Sequence, residues 1–303
     1  MPIKNGKKII VILGPTASGK TKLAVELAEK FNGEIVSADS RQVYRGMDIG
    51  TGKDLAEYSV PYHLIDVASP KSQFDLAQYQ KMAFRAIDDI LKRGKLPILV
   101  GGSGLYLQAV VDNYKLSEAK QDAELRKKLE KLNAVELLNK LKKLSPKIAA
   151  KINQSDKNNK RRLIRYLEIL GQDKNFKSRA GKRKYDALLI VVKYPGEILK
   201  QRIFKRLLER LKEQNMIGEV EKLRERGLSW KKLEEFGLEY KFISQYLQGK
   251  LKYEEMVEQL NRAIYQFSKR QLTWFKRWEK QGVKISWLKD FETIEKLAEG
   301  FLK

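Results

Sequence analysis

The sequence contains no cysteine and a single histidine, His63. The first absence excludes disulfides and cysteine-ligated zinc; the second removes any histidine-built metal site. No apolar run approaches the ~18 residues that a membrane span requires. The stretch Ile9–Leu13, behind a basic start, is shorter than the ~7–15-residue core of a secretion signal, so a cytoplasmic protein is expected. Acidic residues are also scarce. Asp and Glu number 38 against 62 Lys and Arg, a net charge of +24. Such a field attracts polyanions, although a lysine-biased genome would leave the same imprint.

What is present is a globular composition, 42% hydrophobic and 33% charged, in 303 residues. That length allows one large or two modest domains. Short apolar runs at 8–13, 34–38, 62–65, 96–100 and 187–192 read as strands. A helical pattern over 20–31 and another over 74–93 separate the first of them. Strands alternating with helices imply a parallel sheet. From Lys115 to about Lys184 the chain changes to charged, helix-forming sequence, with helices expected over 124–143 and 161–170 and a polar, basic loop over 174–184. A helical block interrupting an α/β series reads as an insertion, giving a core of 1–114 and 186–303 and an inserted domain of 115–185. After Pro195 the chain is helical to about Arg277, with a last edge strand at 285–288 and a last helix over 292–302.

One motif carries clear chemistry. Gly14-Pro15-Thr16-Ala17-Ser18-Gly19-Lys20-Thr21 follows a strand and opens a helix, the context of a P-loop. Its backbone N–H groups and the helix N-terminus make an anion nest. Lys20 supplies a point charge for the phosphates, and the Thr21 hydroxyl suits Mg²⁺. Alone, the loop suggests ATP. Yet the strand 96–100 ends in Gly101-Gly102-Ser103 rather than in the acid that NTPases place on Mg²⁺. Asp39 and Asp66, at the ends of other strands, are the alternatives. Asp39 has three readings from position: general base, Mg²⁺ ligand or helix cap. His63 reads as structural, and Tyr265, Phe267, Trp274 and Trp278, at helical spacing, as core before they read as a stacking surface.

Gly14–Thr21 followed by Asp39-Ser40-Arg41-Gln42-Val43-Tyr44-Arg45-Gly46-Met47-Asp48-Ile49-Gly50-Thr51-Gly52-Lys53 resembles the tRNA dimethylallyltransferases, also called tRNA isopentenyltransferases, of the bacterial type without a zinc finger. The resemblance continues in Gly101–Tyr106, Arg161–Glu168 and Lys269–Arg277, in the family's order. It implies a P-loop NTPase-like α/β core with an inserted, mainly helical domain. It also implies Mg²⁺-dependent transfer of a dimethylallyl group from dimethylallyl diphosphate to N6 of adenosine 37, beside the tRNA anticodon. By the same resemblance Asp39 is the base, Thr21 and Arg206 assist catalysis, and Gly14–Thr21 hold the diphosphate. Contacts to the anticodon stem-loop fall to Asp39, Ser40, Arg41, Gln42, Ser103 (where the family usually has Thr), Arg126, Arg161, Arg162, Leu163, Ile164, Arg165, Tyr240 and Lys241. No membrane partner and a monomer are expected. One departure stands out: Glu239 precedes Tyr240 where the family commonly has glycine. An ATP-dependent small-molecule kinase and a non-catalytic RNA-binding protein are the rival readings.

Overall fold

A computed structural model describes residues 7–117, 119, 121–173, 180–288 and 290–303. The elements run β1 (Lys8–Leu13), α1 (Lys20–Lys30), β2 (Gly33–Ser37), a 3₁₀ turn (Leu55–Glu57), β3 (Tyr62–His63), α2 (Leu76–Lys92), β4 (Leu96–Gly101) and α3 (Gly104–Val111). Then come α4 (Ala123–Leu129), α5 (Ala134–Leu144), α6 (Pro146–Lys151), α7 (Gln154–Lys157) and α8 (Lys160–Gln172). The chain ends with β5 (Asp186–Val192), α9 (Gly196–Lys212), α10 (Met216–Glu225), α11 (Trp230–Phe236), α12 (Leu238–Leu247), α13 (Tyr253–Lys280), β6 (Ile285–Leu288) and α14 (Phe291–Leu302). The six strands form one all-parallel sheet in the order β3-β2-β4-β1-β5-β6. The α/β class and its parallel core are those expected.

Two compact units are present: Met1–Asn113 with Lys182–Lys303, and Tyr114–Gly181. In the first, the period-2 alternation of β1 supplies both faces of the sheet. Ile9, Val11 and Leu13 pack with residues of α2, α3 and the C-terminal half of α13. Ile10 and Ile12 pack with residues of α1 and α14. Each fully buried aliphatic side chain of this kind stabilises the fold by about 1.5–3 kcal/mol. A further apolar cluster joins Val43, Tyr44 and Met47 to α9–α12 and the start of α13. At the two chain ends that flank the second unit, Asn113 Nδ2 donates to the Lys182 carbonyl at 2.9 Å.

The second unit is helical, built around Leu129, Leu137, Leu141, Leu163, Leu167 and Leu170. The helix expected over 124–143 is two helices. Asn133 accepts N–H bonds from Val135 and Glu136, and Glu136 answers to the Asn133 N–H, a capping box that starts α5 afresh. The helix expected over 161–170 runs on through Gly171 to Gln172. Of the basic loop expected over 174–184, residues 174–179 lie outside the described residues. The third strand is shorter than expected, because Leu64 and Asp66 take positive φ and leave the ladder. The long helical stretch after Pro195 is five helices. Asn215 and Gly237, both at positive φ, mark two of the breaks.

Candidate active site

Because all strands are parallel, the C-terminal ends of β1, β2, β4 and β5 share one edge of the sheet, where open α/β folds bind ligands. β1 runs into the loop Gly14–Gly19. Ala17 and Gly19 hold φ of 61° and 75° on either side of Ser18. Alternation of this kind gathers backbone N–H groups into an anion nest. For Ala17 the left-handed conformation costs about 1 kcal/mol, strain of the sort that persists at functional loops. The first turn of α1 carries no acid to compete for an anion. The loop is braced from outside: Gln271 of α13 accepts the Thr16 N–H at 3.0 Å and donates to the Gly102 carbonyl at 3.0 Å. Arg202 Nε donates to the Ala17 carbonyl at 2.8 Å.

Lys20 opens α1 and faces a cavity of about 670 Å³. Its ammonium is pushed down to about 8, chiefly by burial; Asp39 and Asp54 oppose the fall, and Arg206 and Arg210 add to it. Thr21 and Asp39 line the same cavity. Asp39 sits two residues beyond β2, and its Oδ1 accepts the Arg41 N–H at 2.9 Å, which fixes the carboxylate. The Ser40 N–H donates to Ser103 Oγ at 3.1 Å, tying the β2 and β4 loops together. Gly101 explains why no acid ends β4: an added Cβ would stand 2.2 Å from the Ala38 carbonyl oxygen. Gln42 is held at both ends, by Ser37 Oγ at 3.0 Å and the Gly52 carbonyl at 3.0 Å.

The opposite wall is α9. Arg202, Arg206 and Arg210 recur every four residues on one face of it, and all three line the cavity. Arg206 is paired with Asp54. Arg210 is buried, 3.8 Å from the same carboxylate, and burial lowers its guanidinium, with Arg206 adding to the effect. Burial raises the carboxyl of Glu239, which Arg210 opposes. Phe267 also reaches this cavity, whereas Trp278 is core and donates to Asp112 at 2.7 Å.

Several expected residues are committed elsewhere. Asp66, one alternative metal acid, pairs with the fully buried Lys53, whose Nζ also meets Asp48 at 2.6 Å and the Tyr44 carbonyl at 2.7 Å. His63 meets the buried Glu34 at 2.8 Å, a structural contact. Tyr240 is 2% exposed and donates to Glu219 Oε1 at 2.8 Å, so its ring supports the site from within the core. Lys241 lies half-buried beside the Phe242 ring. Glu219 itself accepts the N–H groups of Asp48, Ile49 and Gly50 at 2.7, 2.6 and 3.0 Å. No sequence signal marked it, because its role exists only once α10 meets this loop. Glu219→Ala is expected to cost about 3 kcal/mol or more in a urea titration, since it orphans three backbone donors. A loss below about 1 kcal/mol would mean that water serves them equally well.

In the second unit, Leu163 and Ile164 are 0% and 4% exposed and belong to its core. Their side chains hold α8 in place. Arg126 and Arg165 both pair with the fully buried Glu168, at 2.6 and 3.3 Å, and Arg162 pairs with Asp156. Arg161 is exposed. Among the described residues no three His, Cys, Asp or Glu side chains are grouped to cage a metal. Mg²⁺ does not need such a cage. It keeps waters and takes one or two protein oxygens beside substrate phosphates, and the Thr21 hydroxyl, beside Lys20 in the same cavity, is such an oxygen.

The sequence matches the family described as IPP transferase over residues 42–278. It is 45% identical over 281 residues to "tRNA dimethylallyltransferase 1" of Geotalea uraniireducens, covering 92% of each chain. It is 47% identical over 286 residues to "tRNA dimethylallyltransferase 2" of Treponema denticola, covering 92% of this chain and 95% of that one. Among solved structures, the tRNA isopentenylpyrophosphate transferase of Bacillus halodurans superposes with a TM-score of 0.72 at 37% identity, covering 98% and 97% of the two chains. A eukaryotic dimethylallyltransferase acting on tRNA superposes with a TM-score of 0.77 at 29% identity, over 94% of this chain and 75% of that one.

Proposed function

The chain belongs to the tRNA dimethylallyltransferase family, and from that premise we propose that it transfers a dimethylallyl group from dimethylallyl diphosphate to N6 of adenosine 37, beside the tRNA anticodon. It is a prenyl transferase, and tRNA is its acceptor. The observation that carries the finer reading is that Lys20 and Asp39 line one cavity, a phosphate grip and a carboxylate within reach of a single reaction.

The chemistry divides between them. N6 of adenine is a weak nucleophile, because its lone pair is delocalised into the ring. As N6 bonds to C1 of the dimethylallyl group, the C1–oxygen bond breaks and the electron pair leaves with the diphosphate. Asp39 accepts the N6 proton. Lys20, the loop N–H groups and Arg206 stabilise the charge that gathers on the leaving oxygen. The Thr21 hydroxyl would hold Mg²⁺, which when bound supplies further positive charge to the diphosphate. A stacked base cannot reach this cavity, so the adenine is extruded from the anticodon loop. Ser40, Arg41 and Ser103, at the rim of the strand ends, read it there.

We assign tRNA backbone binding to the second unit on its exposed lysines, among them Lys127, Lys128, Lys142 and Lys143, and on Arg161. Arg126, Arg162 and Arg165 act in the same unit chiefly by holding α4, α7 and α8 together through Glu168 and Asp156. The direct test offers unmodified tRNA, Mg²⁺ and labelled dimethylallyl diphosphate, with labelled ATP in a parallel reaction. Label is expected in tRNA from the prenyl donor alone. ATP consumption without prenyl transfer would overturn the reading.

A further inference from the structure

Arg210 is 94% buried, yet Nε and Nη2 of its guanidinium find no hydrogen-bond partner among the described residues. Its nearest acid, Asp54, is 3.8 Å away and already engaged by Arg206. The two arginines converge on one backbone point. A Cβ on Gly52, whose φ is +63°, would lie 1.9 Å from Nη2 of Arg210 and 2.6 Å from Nη2 of Arg206. Only glycine permits that approach. Two guanidiniums pressed side by side with one shared carboxylate form an arrangement that an anion of more than one charge would satisfy. Both line the cavity that holds Lys20.

Glu239 lines the same cavity and the small recess behind it, where Arg210 also lies. This is the position at which the chain carries a carboxylate in place of the common glycine. Among the described residues no ion pair joins Glu239 to Arg210, so it offsets the charge at a distance and leaves Nε and Nη2 free.

We propose that Arg210 is a second arginine grip on the leaving diphosphate, beside Arg206, and that Glu239 is the counter-charge that lets a buried arginine rest there without its ligand. This rests on the cavity being the prenyl diphosphate site. It makes Arg210 a substrate-contacting residue and Glu239 a positioning residue.

The test uses inorganic pyrophosphate with Mg²⁺, titrated calorimetrically into the full chain. Wild type is expected to bind, and Arg210→Met to bind about tenfold more weakly or worse, the loss of a charge-assisted hydrogen-bonding group. Because Arg210→Met strands Glu239, the double variant Arg210→Met with Glu239→Gly serves as the folding control. It should recover the thermal midpoint of wild type and still bind pyrophosphate weakly, with tRNA affinity unchanged. A double variant that folds and binds pyrophosphate as wild type does would reduce Arg210 to a structural charge and overturn the proposal. Failure of wild type to bind pyrophosphate would instead overturn the diphosphate reading of the cavity, and the proposal with it.

Discussion

Asp39→Asn is expected to slow prenyl transfer by about 100- to 10,000-fold while tRNA affinity stays within about threefold. The substitution keeps the side-chain shape and the acceptor oxygen that receives the Arg41 N–H at 2.9 Å, so the loop after β2 holds its course. What it removes is the capacity to take a proton. An exocyclic amine that has begun to bond to carbon becomes strongly acidic, and without a carboxylate beside it the proton must find bulk water. Asp39→Ala should match the loss in rate but release Arg41, whose guanidinium lies over the Phe236 ring, and so disturb tRNA affinity more. Single-turnover rates with labelled donor, set beside filter binding of tRNA, separate the two effects. Near-normal turnover in Asp39→Asn would remove Asp39 from the role of base.

The parts of this site that were legible in the sequence share one property: their geometry is local. A strand, a glycine-rich loop and a helix are read from consecutive residues, which sets Gly14–Thr21 at the end of one strand and Asp39 at the end of another. Arg206 needed the family resemblance, because a lone helix arginine is by default a solvated charge. Arg202 and Arg210 lie four residues to either side, and that spacing was visible, but which face of α9 turns to the cavity depends on where the helix packs. Gln271 and Glu219 lay further out of reach. Each bridges segments more than 160 residues apart, and neither stands in a pattern that spacing alone reveals. The same cause hides the ion pairs of the inserted helices. Spacing does not show that Arg126 and Arg165 share the buried Glu168 once α8 packs. Leu163 and Ile164 stand within a basic stretch but on the apolar stripe of their own helix, and the stripe decides their fate.

Lys20→Met is expected to slow transfer by about 100- to 1,000-fold and, at neutral pH, to make the protein more stable. The two effects have one origin. The Lys20 ammonium falls from 10.5 to about 8, first because burial strips its water and in part because Arg206 and Arg210 stand near. A fall of that size corresponds to about 3 kcal/mol of disfavoured charge. Its pH dependence follows from the sign. The folded protein binds fewer protons than the unfolded chain between about pH 8 and 10.5, so stability rises with pH across that window, and the penalty is complete below it. Methionine carries no such charge and suits a helix start, so the variant should gain up to about 3 kcal/mol at pH 7 in a urea titration. It should lose about 100- to 1,000-fold in single-turnover rate, the scale of removing one preorganised charge from a transition state. In wild type, affinity for the diphosphate should fall as pH rises through about 8, because deprotonation neutralises the grip. That limb should flatten in Lys20→Met. A variant that is both less stable and still active would show that Lys20 is a structural residue, and that the anion nest works without it.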